Sequence, residues 1–323
     1  MVHAIRIHEQ GGPEVMKWES IDVPAPGAGQ IAIAHKAIGL NYIDCYHRSG
    51  LYPLPMPSGI GMEGAGVVDA VGAGVTDIRT GDRVAYAAGP PGSYAETRVI
   101  DAAKVVKLPA GIADETAAAM MLQGMTAEYL IRRTYKVKPG DTVLFHAAAG
   151  GVGLIACQWL KLLGATVIGT VGSDEKAAIA KAHGCDYPIV YTREKFPERV
   201  REITNGKGVP VVYDSIGNDT YLGTLDCLAP RGLFVSFGNA SGPIKNFEVG
   251  LLAAKGSLYF TRPGLANYTG TKEDLAESSS ALFDAVSKGV KIEINQRYPL
   301  RDAAQAHRDL EGRKTTGSTI FLP

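Results

Sequence analysis

Short apolar runs, alternating or continuous and broken every few positions by glycine or proline, fill the chain from residue 1 to about 122. IAIAHKAIGL, GAGVVDAVG, DRVAYAAG and YAETRVI are representative, and their spacing predicts strands joined by tight turns. From Pro139-Gly140 the texture changes. Strand-like and helix-like runs now alternate: TVLFHAA, VGLIACQWLKLLGA, TVIGTV, EKAAIAKAHG, then VPVVYDSIG and GLFVSFG. Such alternation predicts a parallel sheet flanked by helices. After Gly150, Val152, Ile155, Ala156, Trp159, Leu160 and Leu163 recur at three- and four-residue steps and Gly164 stops the run, so one helix face packs on the sheet. Beyond about residue 263 come an amphipathic helix, DLAESSSALFDAVSKG, and strand-like KIEINQRYPL and STIFLP. That is too little for another domain, and the segment is expected to fold back onto the first unit.

A length of 323 residues is about twice that of a usual single domain, so two domains are expected. With 46% hydrophobic and 20% charged residues there is ample apolar surface to bury, and no run approaches the roughly 18 apolar residues that cross a bilayer. The formal net charge is zero and the cations are scattered, which argues against a dedicated nucleic-acid binder. The start, MVHAIRIHEQ, has neither a secretory nor a transit-peptide build, and a cytoplasmic location is the expectation. Cys45, Cys157, Cys185 and Cys227 are widely spaced without a C-x-x-C pair, the usage of reduced thiols.

The chemistry is concentrated in TVLFHAAAGGVGLIACQ, a glycine cluster between an apolar strand and a helix. That context makes a dinucleotide reading credible. Ala148-x-Gly150-x-x-Gly153 departs from G-x-G-x-x-G at its first position, yet Ala148 is small. Ala149, Gly150, Gly151, Val152 and Gly153 would then turn their backbone toward a pyrophosphate, with the helix N-terminus supplying N–H donors. About 20 residues after Gly153 an NAD-binding chain offers an acidic residue to the ribose 2′-hydroxyl. Here TVIGTV runs into neutral Val171-Gly172-Ser173. Ser173 can donate to a 2′-phosphate and Lys176 can supply its countercharge, which favours NADPH. Asp174 and Glu175 read as first-turn residues favoured by the helix dipole, although a small backbone shift would bring either to the ribose.

The stretch from Gly140 to Lys161, GDTVLFHAAAGGVGLIACQWLK, together with AIGLNYIDCYHRSGLYP, GMEGAGVV, TGDRVAY, VVYDSIG, VSFGNASGP, the FTRP run and GRKTTGSTIFLP, resembles the quinone oxidoreductase branch of the medium-chain dehydrogenase/reductase superfamily. This branch contains zeta-crystallin and bacterial NADPH:quinone reductases. The resemblance covers essentially the whole length. It implies an α/β protein: a GroES-like β-barrel catalytic domain at 1–124, completed by 264–323, and a Rossmann doubly wound parallel-sheet domain at 125–263 that binds NADPH. It also implies a homodimer or homotetramer, with the nicotinamide between the domains. Asn41 and Thr126 are expected on the nicotinamide side; Ser173, Lys176, Tyr191 and Arg313 around the 2′-phosphate; and Ser215, Gly238, Asn239 and Phe260 along the cofactor.

In the zinc alcohol dehydrogenases of the same superfamily, the positions corresponding to Asn41, Met62 and Leu122 hold the catalytic metal, and none of these three side chains is a good zinc ligand. The lobe that carries structural cysteines there is replaced by AYAAGPPGSYAE. No metal is expected. Without a Lewis acid a simple ketone is poorly polarised, so quinones and α,β-unsaturated carbonyls, which delocalise the charge of an incoming hydride, become the logical acceptors. Candidate groups are Asn41 as carbonyl orienter and Tyr46 and Tyr52 as hydrogen-bond donors, with Asp44 fixing their loop. Either phenol could equally be packing with its hydroxyl on water. His47 and His146 are given no function, Cys45 lacks an identifiable base, and Glu63 reads as an anchor for local backbone or for an arginine such as Arg48.

Two other readings remain open. An enone or alkenal double-bond reductase would use the same cofactor and yield saturated carbonyl products. A non-catalytic NADPH-binding or RNA-binding protein of the zeta-crystallin type would turn over neither acceptor, and the absence of an aromatic-basic platform argues against RNA.

Overall fold

Gln30–Leu40 shows how the apolar pattern becomes structure: it forms one long strand in which Ile31, Ile33, Ile38 and Leu40 are buried. The structure, a computed structural model, describes residues 2–323. One unit contains the chain up to Met125 with Thr269–Phe283 and Ile292–Pro323, and a second contains Thr126–Tyr268 with Asp284–Lys291.

The first unit begins with strands β1 (Val2–Ile7), β2 (Met16–Ile21), β3 (Gln30–Leu40), β4 (Ser58–Gly59), β5 (Glu63–Val71), β6 (Arg83–Tyr86), β7 (Thr97–Asp101) and β8 (Val106–Lys107). In the second unit follow β9 (Thr142–Phe145), β10 (Thr166–Val171), β11 (Tyr187–Val190), β12 (Val209–Asp214), β13 (Leu228–Ser236) and β14 (Tyr259–Thr261). The chain then returns to the first unit with β15 (Ile294–Pro299) and β16 (Ser318–Leu322).

In the first unit a small antiparallel sheet has the order β2-β1-β4, and a larger one runs β15-β16-β3-β5-β6-β8, with β7 also paired to β3. β16 lies antiparallel to β3 with Thr319 opposite Leu40, so the last strand of the chain completes a sheet begun almost 300 residues earlier. Apolar side chains from both ends of the chain, including Ile5, Ile7, Ile38, Leu40, Tyr94 and Phe321, form one core cluster.

The second unit carries a six-stranded sheet in the order β11-β10-β9-β12-β13-β14, every pairing parallel. Counted within the unit this is 3-2-1-4-5-6, the doubly wound order whose direction of winding reverses between its first and fourth strands. The reversal falls between β9 and β12. The helix Gly151–Leu162 buries Ile155, Ala156, Trp159 and Leu160 of the predicted stripe and Leu154 besides, while Val152 and Leu163 are half-buried. Burial of each such side chain is worth about 1.5–3 kcal/mol. Leu163 is the C-cap, and Gly164 takes a left-handed φ of 78° at the stop.

Residues 264–268 and Asp284–Lys291 group with the second unit. A reciprocal amide clasp ties down the end of the latter segment: Gln158 Nε2 donates to the Lys291 carbonyl at 3.0 Å, and Lys291 N–H donates to Gln158 Oε1 at 2.9 Å.

Candidate functional site

In the second unit the turn after β9 is built by backbone. His146 N–H donates to the Tyr213 carbonyl at 2.9 Å, Ala148 N–H to the Thr170 carbonyl at 3.1 Å, and Ala147 adopts a left-handed φ of 55°. A Cβ on Gly153 would lie 2.4 Å from the Ala147 oxygen and 2.7 Å from that of Ala148, so only glycine lets the helix start this close to the turn. The alanine at the first position of the glycine pattern has a partner: a Cβ on Gly169 in β10 would come within 2.6 Å of the Ala148 methyl. Gly150, the N-cap of the helix Gly151–Leu162, offers no capping side chain. The first-turn N–H groups and the positive dipole end are therefore left to water or to an external anion. This cradle fits a dinucleotide pyrophosphate.

Beneath the turn, His146 is fully buried, with Nδ1 2.8 Å from Thr170 Oγ1 and Nε2 2.9 Å from Thr224 Oγ1. Thr224 and Thr220 donate to Asp214 Oδ2 at 3.0 and 2.7 Å, while the N–H groups of Ile216 and Gly217 donate to Oδ1. Because the Thr224 hydroxyl has one hydrogen and gives it to Asp214, it accepts from His146 Nε2–H, and Nδ1 accepts from Thr170. Burial holds the imidazole below its usual pKa, which keeps it neutral. With both nitrogens satisfied, His146 is a packing residue of the floor.

At the end of β10, Ser173 caps the helix Asp174–Ala182, its Oγ accepting from Lys176 N–H at 3.3 Å. Tyr191 N–H donates to the Val171 carbonyl, and a Cβ on Gly172 would meet the Tyr191 hydroxyl at 2.9 Å. Gly172, Ser173, Lys176 and Tyr191 thus share one corner. Asp174 in that corner is paired to Arg193, Nη1 to Oδ2 at 2.6 Å, and this contact holds its carboxyl below the usual range. The loops after β12 and β13 also meet: Ala240 N–H donates to the Ser215 carbonyl, and a Cβ on Gly238 would lie 2.4 Å from the same oxygen. Asn239 belongs to this loop pair, its carbonyl accepting from Gly242 N–H. Phe260 in β14 stacks on Phe247 at 4.8 Å between centroids and tilts against Phe234, so its ring is engaged in the core. Thr126, at the start of the unit, is buried.

In the first unit Asn41 precedes the helix Tyr42–Ser49, and its side chain turns inward. Nδ2 donates to Glu63 Oε2 at 2.7 Å and Oδ1 accepts from Gln123 Nε2 at 3.2 Å. Glu63 Oε1 accepts from Leu122 N–H at 2.8 Å, and Ser318 Oγ lies 2.6 Å from Gln123 Oε1. Burial pushes the Glu63 carboxyl up to about 8. Glu63 therefore anchors backbone, as expected, and not Arg48, whose guanidinium forks onto Glu311 at 2.8 and 3.0 Å.

Asp44 accepts from Asn41 N–H and from the Tyr94 hydroxyl, both at 2.9 Å, and burial lifts it to about 7. Tyr94 in turn accepts from His307 Nε2 at 3.1 Å; His307 Nδ1 takes Arg48 Nη1 at 3.0 Å and lies 3.4 Å from Cys45 Sγ. Burial, reinforced by Arg48, lowers His307 to about 3, and burial raises the Cys45 thiol, which leaves both neutral. Tyr46 and Tyr52 sit edge to face at 5.4 Å, with Tyr42 tilted on Tyr46 and His47 edge-on to Tyr52. Gln123, Tyr94, His307, Glu311 and Ser318 carry no local sequence signal for these roles, because their partners lie tens to hundreds of positions away.

Residues 27–110 match the model of the alcohol dehydrogenase GroES-like domain, and residues 151–277 match that of the zinc-binding dehydrogenases. A quinone oxidoreductase of Pseudomonas aeruginosa is 54% identical over the full length of both chains. The crystal structure of the Escherichia coli quinone oxidoreductase complexed with NADPH has a TM-score of 0.98 at 51% identity, covering 99% of this chain and 100% of that one. The 2-haloacrylate reductase of a Burkholderia species is 48% identical, covering all of this chain and 99% of that protein.

The chain belongs to the quinone oxidoreductase family. Its fold is accordingly a GroES-like unit with a Rossmann unit. Zinc, which the name of one matched model implies, does not fit the donor set. Asn41 spends its amide on Glu63 and Gln123, Met62 and Leu122 offer a thioether and a hydrocarbon, and no group of three or more His, Cys, Asp or Glu side chains able to hold a metal occurs among the described residues. Nor is any helix among the described residues long and apolar enough to cross a membrane.

Proposed function

We propose that this protein is an oxidoreductase that passes reducing equivalents from NADPH to quinones without zinc. The observation that carries the reading is the corner at the end of β10, where a Ser173 cap, Lys176 and Tyr191 stand in place of the acidic residue that NAD-binding chains present there. The E. coli relative, complexed with NADPH in its crystal structure, supports it. The turn of Ala149, Gly150, Gly151, Val152 and Gly153 would hold the pyrophosphate. Gly172, Ser173, Lys176 and Tyr191 would hold the 2′-phosphate, joined by Arg313 on the strength of the family resemblance. Ser215, Gly238, Asn239, Phe260 and Thr126 are proposed along the rest of the cofactor on the same ground.

Bound NADPH supplies the hydride. What this chain supplies is orientation: Asn41 Nδ2 keeps a second hydrogen beyond the one given to Glu63, available to a substrate carbonyl, while Tyr46 and Tyr52 are the proposed donors to the reduced oxygen. A site with no Lewis-acid ligand set suits acceptors that delocalise the incoming charge. A second reading, reduction of an activated carbon–carbon double bond, is favoured by the 2-haloacrylate reductase relative.

We also propose a cytoplasmic homodimer or homotetramer. The edge strand β14, with Tyr259 61% exposed, supports association through unpaired backbone. The test of function follows nicotinamide oxidation by EDTA-treated protein with 1,4-benzoquinone and with 2-cyclohexenone, NADPH and NADH side by side. Rapid NADPH oxidation with the quinone is expected; preference for the enone moves the assignment to double-bond reduction, and binding of NADPH with neither acceptor reduced overturns catalysis.

A further inference from the structure

The corner that follows β10 contains two carboxylates, Asp174 and Glu175, one and two positions beyond Ser173. A carboxylate at the end of the second strand is the group that selects NADH elsewhere, because it accepts from the ribose 2′-hydroxyl and repels a 2′-phosphate. A second loop answers this. The turn after β11 docks on the first through Tyr191 N–H to the Val171 carbonyl at 3.1 Å and Thr192 Oγ1 to the Gly172 carbonyl at 3.3 Å. That docking delivers Arg193 to Asp174 at 2.6 Å. The turn itself is braced, since Glu194 Oε1 accepts from Val190 N–H at 3.0 Å and pairs with Arg199 at 3.1 Å, so Arg193 is presented from a fixed backbone. Ser173 holds the neighbouring Glu175 carboxyl below its usual range.

The Arg193–Asp174 pair is more than half exposed on both sides and adds little to folding stability. Its consequence is the field it leaves in the corner. A guanidinium has five N–H donors, and the contact to Asp174 uses one of them. Resting on the reading that NADPH is the cofactor, we propose that Arg193 is a specificity-determining residue: it cancels the Asp174 charge and turns an NADH-type carboxylate corner into one that accepts a 2′-phosphate. Lys176, in the first turn of the helix Asp174–Ala182, and Arg193, in the turn after β11, then flank the corner together, and the selectivity belongs to both elements.

The test is calorimetric titration of the full-length protein with NADPH and with NADH, for wild type, Arg193→Ala, Asp174→Asn and the double variant. A phosphate monoester carries a charge of about −1.5 to −2, so exposing Asp174 beside it should raise the NADPH Kd on the order of tenfold in Arg193→Ala. NADH binding should hold or tighten. The double variant should recover NADPH binding to within about threefold of wild type, since the uncompensated carboxylate is gone. Unchanged far-UV circular dichroism and Tm verify that each variant is folded. If wild type prefers NADPH but Arg193→Ala keeps the same ratio of the two Kd values, or if Asp174→Asn fails to rescue, the proposal is overturned while the NADPH reading stands. If wild type itself binds both equally, the NADPH reading falls and the proposal with it.

Discussion

Thr224→Val isolates the buried floor beneath the turn after β9. Valine replaces the hydroxyl with a methyl of similar volume, so little cavity opens and the loss is one of hydrogen bonding. Two bonds disappear: Thr224 to Asp214 Oδ2 at 3.0 Å, and His146 Nε2 to Thr224 at 2.9 Å. Asp214 keeps Thr220, Ile216 and Gly217, which limits its share to about 1.5 kcal/mol for one charge-assisted bond. His146, at 0% exposure, has no water to turn to, and an unpaired buried imidazole nitrogen costs about 1–3 kcal/mol; moving its proton to Nδ1, toward Thr170, brings the cost to the lower end. The destabilisation is therefore about 2–4 kcal/mol, a fall in Tm of about 5–12 °C for a unit of this size. Differential scanning calorimetry at pH 7 measures it, with Thr224→Ser as the control that retains the hydroxyl. A Thr224→Val protein within 1 °C of wild type, or a Thr224→Ser protein as unstable as the valine variant, would refute the assigned hydrogen-bond directions.

The remaining predictions concern the two candidate sites. Gly153→Ala drives a methyl against the carbonyl oxygens of Ala147 and Ala148, so the NADPH Kd should rise tenfold or more, and isothermal titration within twofold of wild type contradicts the cradle. Lys176→Ala should lower the ratio of NADPH to NADH specificity constants on the order of tenfold, the loss of one charge-assisted contact; an unchanged ratio removes Lys176 from selectivity. Burial raises Asp44 to about 7 and Glu63 to about 8 in the folded chain, against ordinary values of 3.8 and 4.5. Between pH 5 and 8 the folded state therefore binds more protons than the unfolded one, and stability falls as pH rises, by up to about 1.4 kcal/mol per pH unit for each group. Glu63→Gln, neutral throughout, should flatten that fall in urea unfolding at pH 5 and pH 8, and a variant with the wild-type slope argues against a neutral Glu63.

The alternating strands and helices and the glycine turn after β9 are legible in the sequence because each depends on neighbours within a few residues. Periodicity marks which face of a helix is apolar, and a glycine beside a strand end marks where backbone comes close. β11 and β14 are less legible: YPIV and YFT are short, and pairing to β10 and β13 makes them strands. The C-terminal helix shows the same limit, since its amphipathic pattern says that one face is buried but not against which unit.

The sequence by itself determined the alternation of strands and helices, the glycine turn after β9 and the want of zinc-ligating side chains at Asn41, Met62 and Leu122. Only the tertiary structure decided how polar groups without local partners are satisfied. Asn41 gives no local sign of its partners, yet its amide is fixed between Glu63, 22 positions on, and Gln123, 82 positions on. Asp44 reaches Tyr94 and, through it, His307; Arg193 reaches back 19 positions to Asp174. The physical reason is that a buried polar atom must be paired wherever the fold supplies a partner, and which partner arrives depends on strand order and loop docking, which no local pattern encodes.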